Sequence, residues 1–156
     1  MAKSKYSQSF YEAANPEKYI GKKKPFMRSS WETVFARMCD NNPAIVQWAS
    51  EPFMIPYINP FTGKKTVYVP DFLIMYMDKK MNKHVEVIEI KPKKETSMEL
   101  AKSKRDQAAV IVNLAKWKVA TAWCKAQGMK FRVITEDQIF EQGSKGPKVK
   151  KARRRK

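Results

Sequence analysis

Hydrophobic side chains recur at two spacings along the chain, and the changes between those spacings predict its elements. Across residues 31–38 they fall at helical spacing, which predicts a helix that begins at Ser29 or Ser30. The polar run that leads into Pro43 ends this helix. The first long regular element is therefore an amphipathic helix.

Three later stretches are rich in β-branched and aromatic residues and predict strands at residues 45–50, 66–77 and 85–91. The polar segment 78–83 predicts a turn that joins the last two strands as a hairpin. The strand at 85–91 is apolar on both faces, which is typical of a strand at the centre of a sheet.

A second helix is predicted to begin at Thr96, because Thr96 and Glu99 have capping-box spacing, and to end at Gly128. This span is long and leaves room for a break near residues 103–106. One apolar stripe is predicted along the helix, made of Ala108, Ile111, Val112, Ala115, Val119, Ala122 and Ala126.

The regular structure is predicted to close with a short strand at residues 131–135 and a brief helix that ends at Phe140. Helices and strands therefore alternate in the order helix, three strands, helix, strand. This order favours the α/β class, with a sheet at the centre and helices against it.

The 156-residue chain has the size of one domain and carries 32 Lys and Arg against 15 Asp and Glu, a net charge of +17. Residues 144–156 contain eight basic and no acidic side chains, and residues 1–28 carry a net +5, which leaves +4 for residues 29–143. We therefore expect a basic N-terminal extension, one folded domain and a flexible basic tail. The excess favours a polyanionic partner, with nucleic acid the first candidate.

Composition argues against several other classes of protein. No apolar run reaches the roughly 18 residues of a membrane span, and the N-terminus lacks the apolar core of a signal peptide. Two cysteines and one histidine argue against a disulfide framework, a four-cysteine zinc site and histidine-centred catalysis. The five glycines occur in no phosphate-binding spacing. We expect a cytosolic protein without a membrane partner.

The candidate chemistry lies at the end of the predicted central strand. Glu89 and Lys91 project from one face of that strand, because side chains alternate with a period of two. Asp71 follows Pro70 in the preceding strand, so a hairpin can bring Asp71 beside Glu89. Two adjacent carboxylates are unfavourable without a cation between them, and Mg²⁺ prefers carboxylate oxygens. The alternative interpretation is a partly exposed Glu–Lys pair on an edge strand.

These residues resemble a known group of enzymes. Pro70-Asp71 followed by Glu89-Ile90-Lys91 is similar to the motif of the PD-(D/E)xK nuclease superfamily. Four segments in order resemble the head completion nucleases of large tailed phages, and also the endonuclease subunit of cut-and-paste transposons: Ser29-Ser30-Trp31-Glu32, Trp48-Ala49-Ser50-Glu51-Pro52, Val69-Pro70-Asp71-Phe72 and Glu89-Ile90-Lys91-Pro92. The resemblance covers roughly residues 26–136. It implies a restriction-endonuclease-like core with a mixed central sheet, and it makes residues 29–143 the nuclease domain.

The resemblance implies a site that uses Mg²⁺, with Mn²⁺ as a substitute. It assigns Asp71, Glu89 and the carbonyl of Ile90 to the metal, and it makes Lys91 the catalytic lysine beside those two acids. Glu32 matches an additional acid that many members direct at the metal. Glu32 also stands at capping-box spacing from Ser29, so capping of the first helix is the alternative interpretation.

The implied function is a metal-dependent DNA nuclease, endonucleolytic or exonucleolytic, that acts in phage head completion, DNA packaging and head–tail joining. The alternatives are a site-specific endonuclease of the transposon or resolvase kind and a non-catalytic DNA-binding protein of virion assembly. The expected partners are DNA and the head and neck (portal) proteins of a phage. The expected location is the cytoplasm of the host cell or the virion.

Two groups of basic residues are candidates for contacts with DNA phosphates. Lys93 and Lys94 follow the site directly, although a solvated charge run is an equal alternative for them. The basic tail supplies the second group, which comprises Lys148, Lys150, Lys151, Arg153, Arg154 and Arg155. For the tail, the alternative is a solubilising or nuclear-targeting segment.

Overall fold

The structure is a computed structural model that describes residues 8–139. Its helices and strands in chain order are β1 (Ser9–Phe10), β2 (Phe26–Met27), α1 (Ser30–Asn41), β3 (Ile45–Ser50), β4 (Ile55–Ile58), β5 (Lys65–Tyr68), β6 (Phe72–Met77), β7 (Lys83–Ile90), α2 (Lys104–Ala126) and β8 (Lys130–Ile134). Short 3₁₀ turns lie at Pro16–Lys18 and Lys93–Glu95.

A four-stranded mixed sheet forms the centre, in the spatial order β3, β6, β7, β8. β6 runs antiparallel to both β3 and β7, whereas β8 lies parallel to β7. The parallel pair needs a crossover, which α2 provides. For the strands of the central sheet, the predicted order of helix, three strands, helix and strand is confirmed, and β7 occupies the predicted central place. β4 and β5, which lie between β3 and β6 in the chain, form a separate two-stranded sheet.

The two faces of the sheet bury different elements. α1 packs on one face through Phe35 and Cys39, against a cluster that includes Trp48 from β3 and Ile88 from β7. On the other face, α2 packs through Trp117 onto the β4–β5 hairpin, in a second cluster that includes Phe131 and Val133 of β8. This is the mixed α/β, restriction-endonuclease-like architecture that the sequence resemblance implies.

The stretch predicted as one strand at residues 66–77 is two strands in two sheets, so that prediction was wrong. β5 ends at Tyr68 and pairs with β4, while β6 begins at Phe72 and joins the central sheet. Pro70 lies between them and is fully buried. Because proline has no N–H to donate, a ladder cannot continue through this position, and the chain leaves one sheet for the other.

The second helix begins at Lys104 and not at Thr96, as the sequence analysis expected. The Thr96 hydroxyl donates to the carbonyl of Lys93 and closes the 3₁₀ turn. Ser103 is the true N-cap, because its Oγ accepts the N–H of Asp106 at 3.0 Å. The new start agrees with the break that the length of the span suggested.

The buried face of α2 also differs from the predicted stripe. Its buried residues are Val110, Asn113, Trp117, Ala120 and Cys124. Ile111, which the stripe included, is exposed. Apolar residues occur on several sides of this helix, so spacing alone does not select the side that meets the hairpin. The helix ends as predicted near Gly128, which takes the left-handed conformation (φ 79°) just after the C-cap.

The segment before α1 is tied to the end of that helix by Asp40. Asp40 is fully buried, and its carboxylate accepts hydrogen bonds from the Tyr11 hydroxyl (2.8 Å) and from the backbone N–H groups of Ala14 (2.6 Å) and Asn15 (2.9 Å). Burial opposes the charge, but these hydrogen bonds outweigh burial and hold the pKa of Asp40 below its ordinary value. Residues 9–27 are therefore fastened to the domain.

Replacing Asp40 tests this attachment. We expect Asp40→Ala to lower the free energy of unfolding by about 3–5 kcal/mol, because the buried carboxylate is the shared charged acceptor of three donors. Tyr11→Phe removes one of these bonds and should cost about 1.5–3 kcal/mol. Urea unfolding followed by tryptophan fluorescence measures both. The exposed Asp137 provides the control, and an equal effect of Asp137→Ala and Asp40→Ala would contradict the assignment.

Candidate active site

The pairing of β6 with β7 brings the two predicted acids together. The register sets Phe72 opposite Ile88, so the next positions outward, Asp71 and Glu89, face each other at the end of the pair. The backbone N–H of Ile90 donates to Oδ2 of Asp71 at 2.8 Å. The carboxylate of Asp71 is thereby held against the strand that carries Glu89.

Glu89 is almost completely buried, with 4% of its surface exposed. Its Oε1 accepts a hydrogen bond from the Tyr68 hydroxyl at 2.7 Å, and its Oε2 lies 4.0 Å from Nζ of Lys91. The Lys91 side chain is 29% exposed. The arrangement is a buried carboxylate fixed from one side, with an ammonium group on the other side that reaches solvent.

The carboxyl groups at this site bind protons more tightly than usual. Burial, followed by the neighbouring charge of Glu89, raises the pKa of Asp71 to about 8. Burial, followed by the charge of Asp71, raises the pKa of Glu32 to about 7. The pKa of Glu89 is also raised, chiefly by burial. Each acid is thus unfavourable as an anion unless a proton or another cation balances it.

Glu32 confirms the capping interpretation of its sequence position, while its assignment to a metal stays a prediction. Its backbone N–H donates to Oγ of Ser29, which caps α1, and its Oε1 accepts the N–H of Arg28 at 3.0 Å. The charge of Asp71 nevertheless acts on the same carboxyl group. Glu32 therefore stabilises the helix start and belongs to the electrostatic surroundings of Asp71.

Glu51 links the site to a strained point of the backbone. It follows β3, has a positive φ of 47°, and donates its N–H to the carbonyl of Asp71 at 2.9 Å. A left-handed conformation is uncommon for a residue other than glycine. The Glu51 carboxylate accepts from Nε of Arg28 at 2.6 Å. This pair lies next to the acids.

Two functional candidates escaped the sequence analysis. Tyr68 lies in β5, and its contact with Glu89 spans 21 positions. Lys116 lies in α2 with its ammonium 5.6 Å above the Tyr68 ring and 5.9 Å above the Tyr57 ring. Burial, then the charge of Lys91, lowers the pKa of Lys116. One signal was available: Lys116 lies on the same helical side as Val112 and Val119, where a cation is out of place.

The remaining predicted contacts with DNA stay predictions. Lys93 is exposed and its ammonium lies 2.8 Å from Asp137, while that of Lys94 lies 3.7 Å from Asp106. The Lys93 and Lys94 side chains are 46% and 59% exposed, so both can exchange these partners for a phosphate. The tail residues lie outside the described part of the chain: Lys148, Lys150, Lys151, Arg153, Arg154 and Arg155.

Among residues 8–139, no group of three or more histidine, cysteine and acidic side chains converges in a way that could hold a metal ion. The closely associated pair is Asp71 with Glu89, and Glu32 acts on them from α1. Any cation here would thus have two side-chain carboxylates and would complete its coordination with backbone, water or substrate oxygens.

Comparison with known proteins identifies the family to which the chain belongs. The family model described as TnsA-like endonuclease N terminal matches residues 42–136. The chain belongs to this family. The head completion nuclease of Enterobacteria phage T4 is 38% identical over 143 residues, which cover 85% of this chain and 93% of that protein. The suspected resemblance is therefore confirmed.

The family match covers Asp71 and Glu89 but not Glu32, which lies on α1 before the match begins. Asp71, Glu89 and Lys91 all lie within residues 42–136, as do the newly found Tyr68 and Lys116. The match begins after α1 has ended.

Within the described residues, no helix combines the length and the apolar character needed to cross a membrane.

The raised pKa values predict how stability depends on pH when no divalent cation is present. Between about pH 4 and pH 8 the folded state holds protons on Asp71 and Glu32 that the unfolded chain has released, so the free energy of unfolding should fall as pH rises. Asp71→Asn removes part of this dependence. We expect the melting temperature of Asp71→Asn, relative to that of the wild type, to be higher at pH 8.5 than at pH 5.5 when both are measured in EDTA.

Thermal unfolding followed by circular dichroism checks this expectation. The exposed Glu99 supplies the matched control, since Glu99→Gln should shift the melting temperature equally at both pH values. A constant difference between wild type and Asp71→Asn across the range would contradict the assignment.

Proposed function

We propose that the protein is a Mg²⁺-dependent deoxyribonuclease, with Mn²⁺ as an alternative metal, that hydrolyses phosphodiester bonds at the Asp71–Glu89 site. The observation that carries the proposal is the pair of facing carboxylates, Glu89 buried and Asp71 partly buried, with Lys91 beside them. A DNA-binding surface gains nothing from buried acids, because phosphate repels them. The family and the T4 relative, both named for nuclease activity, support the same conclusion.

The donor set fits a hard divalent cation. Asp71 and Glu89 offer carboxylate oxygens, and both carboxyl groups are costly as unbalanced anions. Mg²⁺ is usually held by one or two carboxylates, together with waters and substrate phosphate. In the proposal, the carbonyl of Ile90 adds a backbone oxygen, and Glu32 is a further acid on the α1 side. The site holds no histidine or cysteine ligand that would favour zinc or a softer metal.

In this proposal, each side chain of the site has a distinct role in phosphodiester hydrolysis. A bound divalent cation supplies Lewis-acid chemistry, which neutralises phosphate charge and makes a water more acidic. Asp71 and Glu89 hold that cation, and Tyr68 fixes the rotamer of Glu89 through its 2.7 Å hydrogen bond. Lys91 lies where its ammonium can orient the attacking water or stabilise negative charge that develops on the phosphate. Lys116 adds a second positive charge behind the tyrosine ring.

The proposed biological role is the trimming or cutting of packaged DNA, so that filled phage heads can accept tails. It draws on the name of the T4 relative, a head completion nuclease. In this role the partners are DNA and the head and portal proteins, in the cytoplasm of the infected cell. The family match favours a second role, that of an endonuclease working with a recognition partner, as in cut-and-paste transposition.

The catalytic assignment predicts that cleavage and binding separate. We expect Glu89→Gln and Lys91→Ala each to lower the rate of Mg²⁺-dependent DNA cleavage by at least about 100-fold, because each change removes charge from the reacting centre. Affinity for DNA measured in EDTA should change little. The exposed Glu99 and Lys102 provide matched controls as Glu99→Gln and Lys102→Ala, both of which should cleave normally.

Gel assays on linear and circular DNA, with Mg²⁺ and with EDTA, measure these rates. Cleavage that survives both active-site substitutions would refute the site. Wild-type cleavage in EDTA would refute the dependence on a metal. Opening of the circular substrate would identify an endonuclease, whereas loss of linear DNA alone would identify an exonuclease.

The hydrogen bond from Tyr68 predicts a selective effect on metal affinity. We expect Tyr68→Phe to weaken Mg²⁺ and Mn²⁺ binding by about 10–100-fold, because partners that orient a metal ligand have effects of this size. Calorimetric titration with Mn²⁺ and the Mg²⁺ concentration for half-maximal cleavage provide two measurements. Tyr76→Phe is the matched control, since that hydroxyl bonds to Glu86 away from the site. Equal metal affinity in the two variants would contradict the role of Tyr68.

A further inference from the structure

A second cluster of chemically distinctive side chains lies beside the active site, on the ribbon formed by β1 and β2. Phe10 pairs with Phe26 across this ribbon, and their rings meet edge to face with centroids 5.0 Å apart. Phe10 is 60% exposed, so most of its ring faces water. We call Phe10, Lys23, Lys24, Phe26 and Arg28 the aromatic–basic cradle.

Each of the two aromatic rings of the cradle, Phe10 and Phe26, makes a cation–π contact with a basic side chain. The ammonium of Lys24 lies 5.6 Å from the centre of the Phe10 ring, and the guanidinium of Arg28 lies 5.2 Å from the centre of the Phe26 ring. Lys24 also pairs with the exposed Glu12, and Arg28 with Glu51. Both cations are at least half exposed and can therefore turn towards an incoming anion.

The cradle encloses a cavity that can accept one nucleotide. All five cradle residues line it, together with Ser50 and Glu51, and its volume is about 360 Å³. Small-ligand pockets begin at roughly 300 Å³. Its lining combines two aromatic rings with three cationic side chains, which is the combination that a base with its phosphate requires.

Arg28 makes the cradle continuous with the active site. Its backbone N–H donates to the Glu32 carboxylate, and its side chain bonds to Glu51. Glu51 in turn donates its N–H to the carbonyl of Asp71. A DNA strand bound in the cradle would thus lie next to the acids, because Arg28 and Glu51 connect the cradle to Asp71.

The exposed ring decides which form of DNA fits. A duplex presents phosphates and groove edges but keeps its base faces stacked, so it can satisfy the cations and not Phe10. An unpaired nucleotide presents a base face that can stack on the ring, and its phosphate can meet Lys23, Lys24 or Arg28. Exposed lysines alone would suit either form of DNA.

We propose that the aromatic–basic cradle binds an unpaired nucleotide of the DNA strand next to the phosphate that is cut. This proposal rests on the proposed nuclease function and deepens it. The substrate class is duplex DNA with a single-stranded or frayed segment beside the scissile bond. Phe10 supplies the stacking surface, and the cradle cations hold the phosphates that flank the stacked base.

Binding measured in EDTA tests the proposal without any cleavage. Fluorescence anisotropy with the full-length protein compares three DNAs: a blunt duplex, the same duplex with a short single-stranded end, and that duplex with abasic sugars in the unpaired end. The abasic end keeps the phosphates and lacks the faces that stack. Wild-type protein should bind the end that carries bases more tightly than the abasic end.

Phe10→Leu isolates the exposed ring, because leucine remains apolar but offers no aromatic face at position 10, while Phe26 is unchanged. We expect it to weaken binding of the base-carrying end by about 5- to 150-fold, the range found for one stacked base. Binding of the blunt duplex and the abasic end should not change. Phe10→Trp should restore the preference, which shows that a ring and not a folding defect is responsible. Phe61 is exposed to the same extent in the β4–β5 turn, and Phe61→Leu is the matched control.

Three outcomes would overturn the cradle assignment: equal weakening of all three DNAs by Phe10→Leu, no weakening of any, or the same effect from Phe61→Leu. Cleavage assays in Mg²⁺ are read separately. If wild-type protein prefers the base-carrying end but cleaves no DNA, the nuclease function fails and the cradle stands. If it cleaves but shows no such preference, the cradle fails alone.

Discussion

The close approach of two carboxylates, one buried (Glu89) and one partly buried (Asp71), is the constraint on which the rest of this site depends. Charges of one sign repel strongly where water is excluded, so each acid needs a partner. The backbone N–H of Ile90 holds Asp71, and Tyr68 and Lys91 hold Glu89. These contacts reduce the repulsion but leave the pKa of both acids raised. The contacts that the site makes therefore leave its negative charge incompletely balanced, and the proposed function assigns the balancing charge to a divalent cation.

The sequence predicted those features that local signals determine. The cap at Ser29, the central β7 strand and the facing acids all follow from short-range patterns, and they appear where expected. The errors arose where tertiary contacts choose between equivalent local options. Thr96 and Ser103 are both competent caps, and packing selected Ser103. Tyr68 reads as an ordinary strand residue until the hairpin folds it onto Glu89.

Arg28 contacts three separate elements of the fold. The Arg28 guanidinium lies over the ring of Phe26 in β2 and donates to the carboxylate of Glu51, just after β3. Its backbone N–H donates to the carboxylate of Glu32 on α1. The N-terminal segment, which its sequence marks as a basic extension, is therefore mechanically connected to the acids. Asp40 fastens the other end of the same segment. The ribbon and the acids are held in a common frame and do not depend on a flexible arm.

The interruption at Pro70 has a consequence for how such proteins can vary in length. Because β5 and β6 belong to different sheets, residues added to the exposed turn between β4 and β5 would lengthen that hairpin alone. The pairing of β6 with β7 sets Asp71 opposite Glu89, and this register would not shift. Loop tips of this kind tolerate insertions best. An insertion at this turn would therefore leave the spacing of Asp71 and Glu89 unchanged.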